Sequence, residues 1–240
     1  MSGIGTKNIQ GNFKSMDIKP GNAVAKVNAI RMDKVKYPTN TPEYVIYLDL
    51  ETKPIGNGFE GFAVNKDKPE LGKYKGQFKT VTNTRWSIKD FTTRDGKQID
   101  ITKQVLKFIG QLLNECNSDW LDKVDGKFER IEDLVAGLNK DKPFKDIYLS
   151  WCLGGKEKIN EKGYTNYYMH LPDYKVCPFP FTGETSGNVV TKYNSELHLI
   201  KDLSAVNVNE ELNKEVEDSS DDDSTFAVNA DEELFDFDEE

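Results

Sequence analysis

From Asp202 to Glu240 the chain carries sixteen acidic side chains and one lysine, Lys214, a net of 1 − 16 = −15. That density of like charge limits where a fold can form. Glu210, Glu211, Glu215, Glu217, Asp218, Asp221, Asp222 and Asp223 repel one another and offer little apolar surface to offset ordering entropy. Residues 204–240 are therefore expected to be a disordered acidic tail. The residues before Asp202 hold thirty-one Lys and Arg against twenty-five acids, 31 − 25 = +6. The total of −9 thus joins a basic body to an acidic appendage. The body is long enough for one domain with a sizeable core.

Near the end of the tail, Leu234, Phe235 and Phe237 are interleaved with Asp231, Glu232, Glu233, Asp236, Asp238, Glu239 and Glu240. Acids steer such a segment to a basic surface, and the rings can fill a small pocket. A docking peptide is favoured over a merely solubilising tail. The first residues are polar, without the apolar run of a signal peptide, and no window is apolar enough to span a bilayer. Cys116, Cys152 and Cys177 are odd in number and far apart, which fits free thiols in a reducing compartment. A soluble, cytoplasmic protein with no membrane partner is expected.

Residues 1–21 read as a flexible N-terminal arm ending at Pro20-Gly21. Residues 23–35 alternate as a strand, and 43–51 do so most clearly, with Ile46, Leu48 and Leu50 on one face and Tyr47, Asp49 and Glu51 on the other. Gly56-Asn57-Gly58 predicts a turn that folds 59–64 back as a hairpin, and 66–76 a Lys- and Gly-rich loop. Residues 78–90 predict another strand, followed by a turn at 94–97. The period then becomes helical through Ile101, Val105, Phe108, Ile109, Leu112, Leu113 and Cys116, with Asp100 or Thr102 as cap. A shorter helix is predicted over 131–138. Strands resume at 147–153, with a hairpin turn at Gly154-Gly155 and a return at 164–171. Residues 177–181 form a stiff apolar loop, and 189–200 a last strand. The order predicts a mainly β, α+β domain over 22–203, with a helical insertion at about 101–143 between strands 3 and 4. The five-stranded Greek-key barrel called the OB-fold has that order, as do other small α+β domains.

Between Phe59 and Lys97 rings alternate with cations. Single-stranded nucleic acid is held by this combination, because cations follow the phosphates and flat rings stack on unpaired bases. The candidates are Lys73, Tyr74 and Lys75, whose ring lies between two lysines and two glycines, then Arg85 with Trp86, and Tyr47 on the polar face of its strand. Phe62, Lys66, Lys79 and Arg94 complete the set. The alternative is an ordinary sheet with core aromatics and solvated lysines. A second group, Tyr164, Tyr167, Tyr168 and Tyr174 after Lys156, Lys158 and Lys162, either extends the groove or belongs to a plain tyrosine-rich strand. His170 and His198 stand in no catalytic or zinc-binding spacing, and there is no phosphate-binding glycine loop. Cys152 reads as a small core residue. A non-enzyme without metal or cofactor is expected.

The layout resembles the single-stranded DNA-binding proteins of tailed phages, which join a basic OB-fold body to an acidic, aromatic-tipped tail. The resemblance is carried by Asp221-Asp222-Asp223 and by Leu234-Phe235-Asp236-Phe237-Asp238-Glu239-Glu240; in the body it extends to composition and element order. It implies a body that coats single-stranded DNA without sequence preference during replication, recombination and repair, in the host cytoplasm. It implies a tail that competes for the DNA groove and recruits polymerase, helicase or primase through Leu234, Phe235, Asp236 and Phe237. Many tails of that family end on the aromatic itself, whereas here three acids follow Phe237, so a partner must read an internal Phe-Asp-Phe. Rings and lysines do not distinguish DNA from RNA, and the oligomeric state is not set by the sequence. The rival readings are a phage structural or assembly protein that binds no nucleic acid, and an acidic-tailed chaperone for basic proteins.

Overall fold

Two long strands, β1 (Gly21–Lys34) and β2 (Glu43–Thr52), open the fold as an antiparallel pair running from Ala25↔Thr52 to Lys34↔Tyr44, with a bulge between Val27 and Ala29. The computed structural model describes residues 16–37, 42–56, 59–64, 67–68, 70, 72–160 and 162–202. The alternation of β2 sets its two faces: Ile46, Leu48 and Leu50 are fully buried, while Tyr47, Asp49 and Glu51 lie on the outside, half-buried. β3 (Phe78–Thr82) continues the sheet antiparallel to β2, with Tyr47 opposite Thr82 and Leu50 opposite Lys79.

After the helical segment come β4 (Tyr148–Ile159) and β5 (Thr165–His170), an antiparallel hairpin. β5 runs parallel to β3 through Met169↔Val81 and His170↔Thr82. The first half of β4 pairs antiparallel with β1, from Gly21↔Leu153 to Lys26↔Tyr148. Within the ring each of the five strands has two neighbours, and the mixed sheet closes on itself in the order β1-β2-β3-β5-β4-β1. Leu149, Trp151, Leu153 and Met169 join the β2 residues inside, and the Trp151 indole N–H donates to the Ala25 carbonyl at 2.9 Å.

Three helices lie between β3 and β4. α1 (Ile101–Glu115) starts at Asp100, whose carboxylate accepts the Lys103 N–H at 2.7 Å, and it buries Val105, Ile109, Leu112 and Leu113. α2 (Trp120–Lys123) and α3 (Ile131–Asp141) complete the insertion. Asn139 of α3 guards the free edge of β1. Its carbonyl accepts the Ile30 N–H at 2.8 Å and its amide donates to the Ile30 carbonyl, so both strand groups are satisfied there.

Several expectations are corrected. Gly154-Gly155 is no hairpin turn but the middle of β4; the turn lies between Asn160 and Tyr164. The glycines are needed for close approach, since a Cβ on Gly154 would sit 2.7 Å from the His198 carbonyl oxygen and one on Gly155 2.8 Å from Pro20. Phe62–Ala63 pairs with Lys73–Tyr74 and not with β2. The strand expected over 78–90 ends at Thr82; Ile88–Lys89 then pairs with the start of β2. Residues 189–200 contain a short helix, α4 (Ser195–His198), and only Leu199–Ile200 is extended, parallel to β4. In the expected arm, Ile18 is buried and Asp17 bridges to Phe78. The acidic tail, 204–240, and residues 1–15 lie outside the described residues.

Candidate nucleic-acid interface

The outer faces of β2, β3, β4 and β5 form an open groove of about 1050 Å³. Strand register fixes its lining. Tyr47 stands opposite Thr82, Tyr168 opposite Lys156, and Asn166 opposite Lys158, so these side chains share the outward face. Lys79 enters from β3, and Arg85 and Trp86 from the loop that follows it. Trp86 and Tyr168 are each 62% exposed, so both rings present a face to solvent.

Local contacts hold the cations in place. Lys79 Nζ lies 2.7 Å from Asp17 Oδ2, and Arg85 reaches Asp173 at 3.3 Å while its guanidinium stands 4.7 Å above the Trp86 ring. Asp49 gathers Arg31 at 3.1 Å and the Thr80 hydroxyl at 2.8 Å, and Arg31 in turn lies over the Tyr47 ring at 5.4 Å. Lys156 and Lys158 make no ion pair among the described residues. His170 lies at the groove floor. Burial holds its imidazole below the ordinary value, opposed by a main-chain hydrogen bond at Tyr168 and reinforced by Arg85.

A second concavity of about 550 Å³ continues this surface toward the end of β1. It shares Tyr47, Arg85 and Trp86 with the groove and adds Arg31, Lys34, Lys36 and Tyr37. The result is one track of exposed rings and cations from the β4–β5 hairpin to the segment joining β1 to β2.

Of the residues singled out in the sequence, Tyr47, Lys79, Arg85 and Trp86 come together here. Phe62, Lys73, Tyr74, Lys75 and Arg94 line neither concavity, and Lys66 lies outside the described residues. Tyr74 is half-buried, contrary to the exposure expected of a ring between two lysines. Gly76 packs on Thr52, and Glu51 accepts the N–H groups of Lys75 and Gly76, drawing the turn onto the sheet. The Tyr74 ring is thereby stacked on Phe78, with centroids 4.1 Å apart. Phe62 packs on Phe59, and Lys73 pairs with Glu60 at 3.2 Å. Arg31, Lys34, Lys36 and Tyr37 were missed. Their signal was a ring beside cations just before the two-proline loop. For Lys156, Lys158 and Tyr168 the sequence supports a groove and a plain strand equally.

Cys152 and His198 meet in the interior, Sγ to Nδ1 at 3.6 Å. Both ring nitrogens of His198 are engaged by main chain: Nδ1 accepts the Asn194 N–H at 3.1 Å and Nε2 donates to the Val176 carbonyl at 3.0 Å. A hydrogen bond with Cys177, together with burial, keeps the Cys152 thiol protonated. Among the described residues, no group of three or more His, Cys, Asp or Glu could hold a metal ion, and no helix is long and apolar enough to cross a membrane. No family model matches the chain, and no curated protein or solved structure matches it either.

Proposed function

We propose that the five-stranded ring is an OB-fold barrel and that its outer groove binds single-stranded DNA without sequence preference. Strand order 1-2-3-5-4-1, the parallel pairing of the third and fifth strands and a helix after the third all suit that fold. OB-folds bind oligonucleotides on the face of strands 2 and 3 between the 1–2 and 4–5 loops, and the groove described above occupies that face. One observation carries the reading: Tyr37, Trp86 and Tyr168, each more than 60% exposed, alternate along one track with Lys34, Lys36, Arg85, Lys156 and Lys158. Rings spaced in this way stack only on unpaired bases, since a duplex hides its base faces.

The acidic segment has a role in the same proposal. Leu199–Ile200 runs along β4 beside Gly155–Lys156, Ile200 lines the groove, and Asp202 accepts the Ile159 N–H at 3.1 Å. The segment of net charge −15 thus starts at the groove rim. We infer that it competes there with DNA at a high effective concentration and, once displaced, presents Leu234, Phe235 and Phe237 to replication proteins.

The test is fluorescence anisotropy of a labelled oligothymidylate with the full chain across a salt series, with duplex DNA and oligouridylate as competitors. Salt-sensitive binding that duplex fails to displace is expected. Stronger competition by RNA would move the assignment to an RNA-binding protein. No binding of either at low salt would discard the nucleic-acid reading and favour an assembly protein.

A further inference from the structure

A separate cleft of about 600 Å³ lies across Trp86 from the groove, between α1 and the Leu171–Phe181 segment. Trp86 lines both spaces, and the Arg85–Asp173 ion pair joins a groove residue to a cleft residue. On the α1 side, Gln104, Phe108, Gln111 and Glu115 recur at helical spacing, a stripe beside the buried one. On the other side stands Phe179. Its N–H donates to the Thr191 hydroxyl at 3.2 Å and its carbonyl accepts the Thr191 N–H at 2.9 Å. The main chain is pinned while the ring remains 42% exposed in the cleft wall.

The chemistry of this lining differs from that of the groove. Among the described residues no lysine or arginine lines it, so it is not built for phosphate. Its two carboxylates are engaged: Glu115 accepts the Gly183 N–H at 2.6 Å, and Asp173 holds Arg85. The carboxamides of Gln111 and Asn114 are exposed and have no hydrogen-bond partner among the described residues. A carboxamide both donates and accepts, as the edge of a nucleobase does. Phe108 and Phe179 offer apolar faces to the ring of such a base.

We propose that this cleft receives one unpaired base of a bound strand, turned past Trp86 while its phosphates stay with Arg85 and the groove lysines. Gln111 and Asn114 meet the base edge, and Phe108 or Phe179 meets its face. The proposal rests on the reading of the groove as a single-strand site.

It is tested with the full chain and an oligothymidylate carrying 5-iodouracil, by photo-crosslinking and peptide mapping. Adducts at Phe108 or Phe179 are expected beside those at Trp86 and Tyr168. The double variant Gln111→Leu, Asn114→Leu should lose the cleft adducts and keep the groove adducts, which also report that it is folded. Phe179→Ala should weaken binding about fivefold, the lower end for one stacked base. Groove adducts without cleft adducts would overturn the cleft alone, and so would cleft adducts that survive the double variant. Absence of binding and of all adducts would overturn the groove reading, and the cleft with it.

Discussion

Replacing Trp86 by alanine separates a stacking surface from a structural one. The ring is 62% exposed and packs chiefly under the Arg85 guanidinium, so its loss opens no core cavity. Arg85 keeps its pairing with Asp173. A stacked base contributes about 1–3 kcal/mol, which corresponds to a rise in Kd between about fivefold and a hundredfold. The lower part of that range is expected, since Arg85 already covers one face of the indole and a base can occupy only the other. Anisotropy with a labelled oligothymidylate at fixed ionic strength measures the change. Intrinsic fluorescence gives a second readout: Trp120 and Trp151 are buried, so DNA-induced quenching should come from Trp86 and vanish in the variant. An unchanged melting temperature with affinity within about twofold of the parent chain, or quenching that persists, would refute the assignment of Trp86 to the stacking track.

Lys156→Ala and Lys158→Ala should each lower the slope of log K against log salt by about 0.7, and Lys79→Ala by less, because Lys79 is already paired with Asp17. Truncation to residues 1–217 should tighten DNA binding at low salt, with the gap closing as salt rises; equal affinities at low salt would remove the competition. Gly154→Ala should cost about 1–3 kcal/mol, read as a lower midpoint in urea, because its Cβ would meet the His198 carbonyl; an unchanged midpoint would refute the close approach. Burial favours neutral His170, so the unfolded chain takes up the proton first. That stability is intact above about pH 6.5 and is lost as pH falls from there through the lower folded value. His170→Gln should flatten the melting temperature between about pH 7 and 5.

Local patterns in the sequence were legible where one face of an element is buried. The alternation through Ile46, Leu48 and Leu50 and the helical spacing from Val105 to Leu113 each follow from one-sided burial, which fixes a period. Gly154-Gly155 was misread because glycine serves both turns and close approach, and only the packing of His198 and Pro20 distinguishes them. The groove was half legible. Tyr47 and Trp86 could be found from polar surroundings and a neighbouring cation. The fate of Tyr74 depended on Phe78 and Glu51, whose contacts with the turn are set by strand register. Lys156 and Tyr168 join Tyr47 only because β5 lies beside β3, a pairing no local pattern announces.

The closure of the ring has a consequence for how the chain comes to fold. β1 is made well before β4, yet β4 is its partner along one edge; the hydrogen bond from Trp151 to Ala25 spans 126 positions. Until β4 has emerged, that edge of β1 has no strand to pair with, and contacts of such sequence separation slow the search for the native state. Asn139 covers part of the edge at Ile30, but α3 is itself made late. During synthesis the exposed edge of β1 is thus where a second nascent copy would pair wrongly.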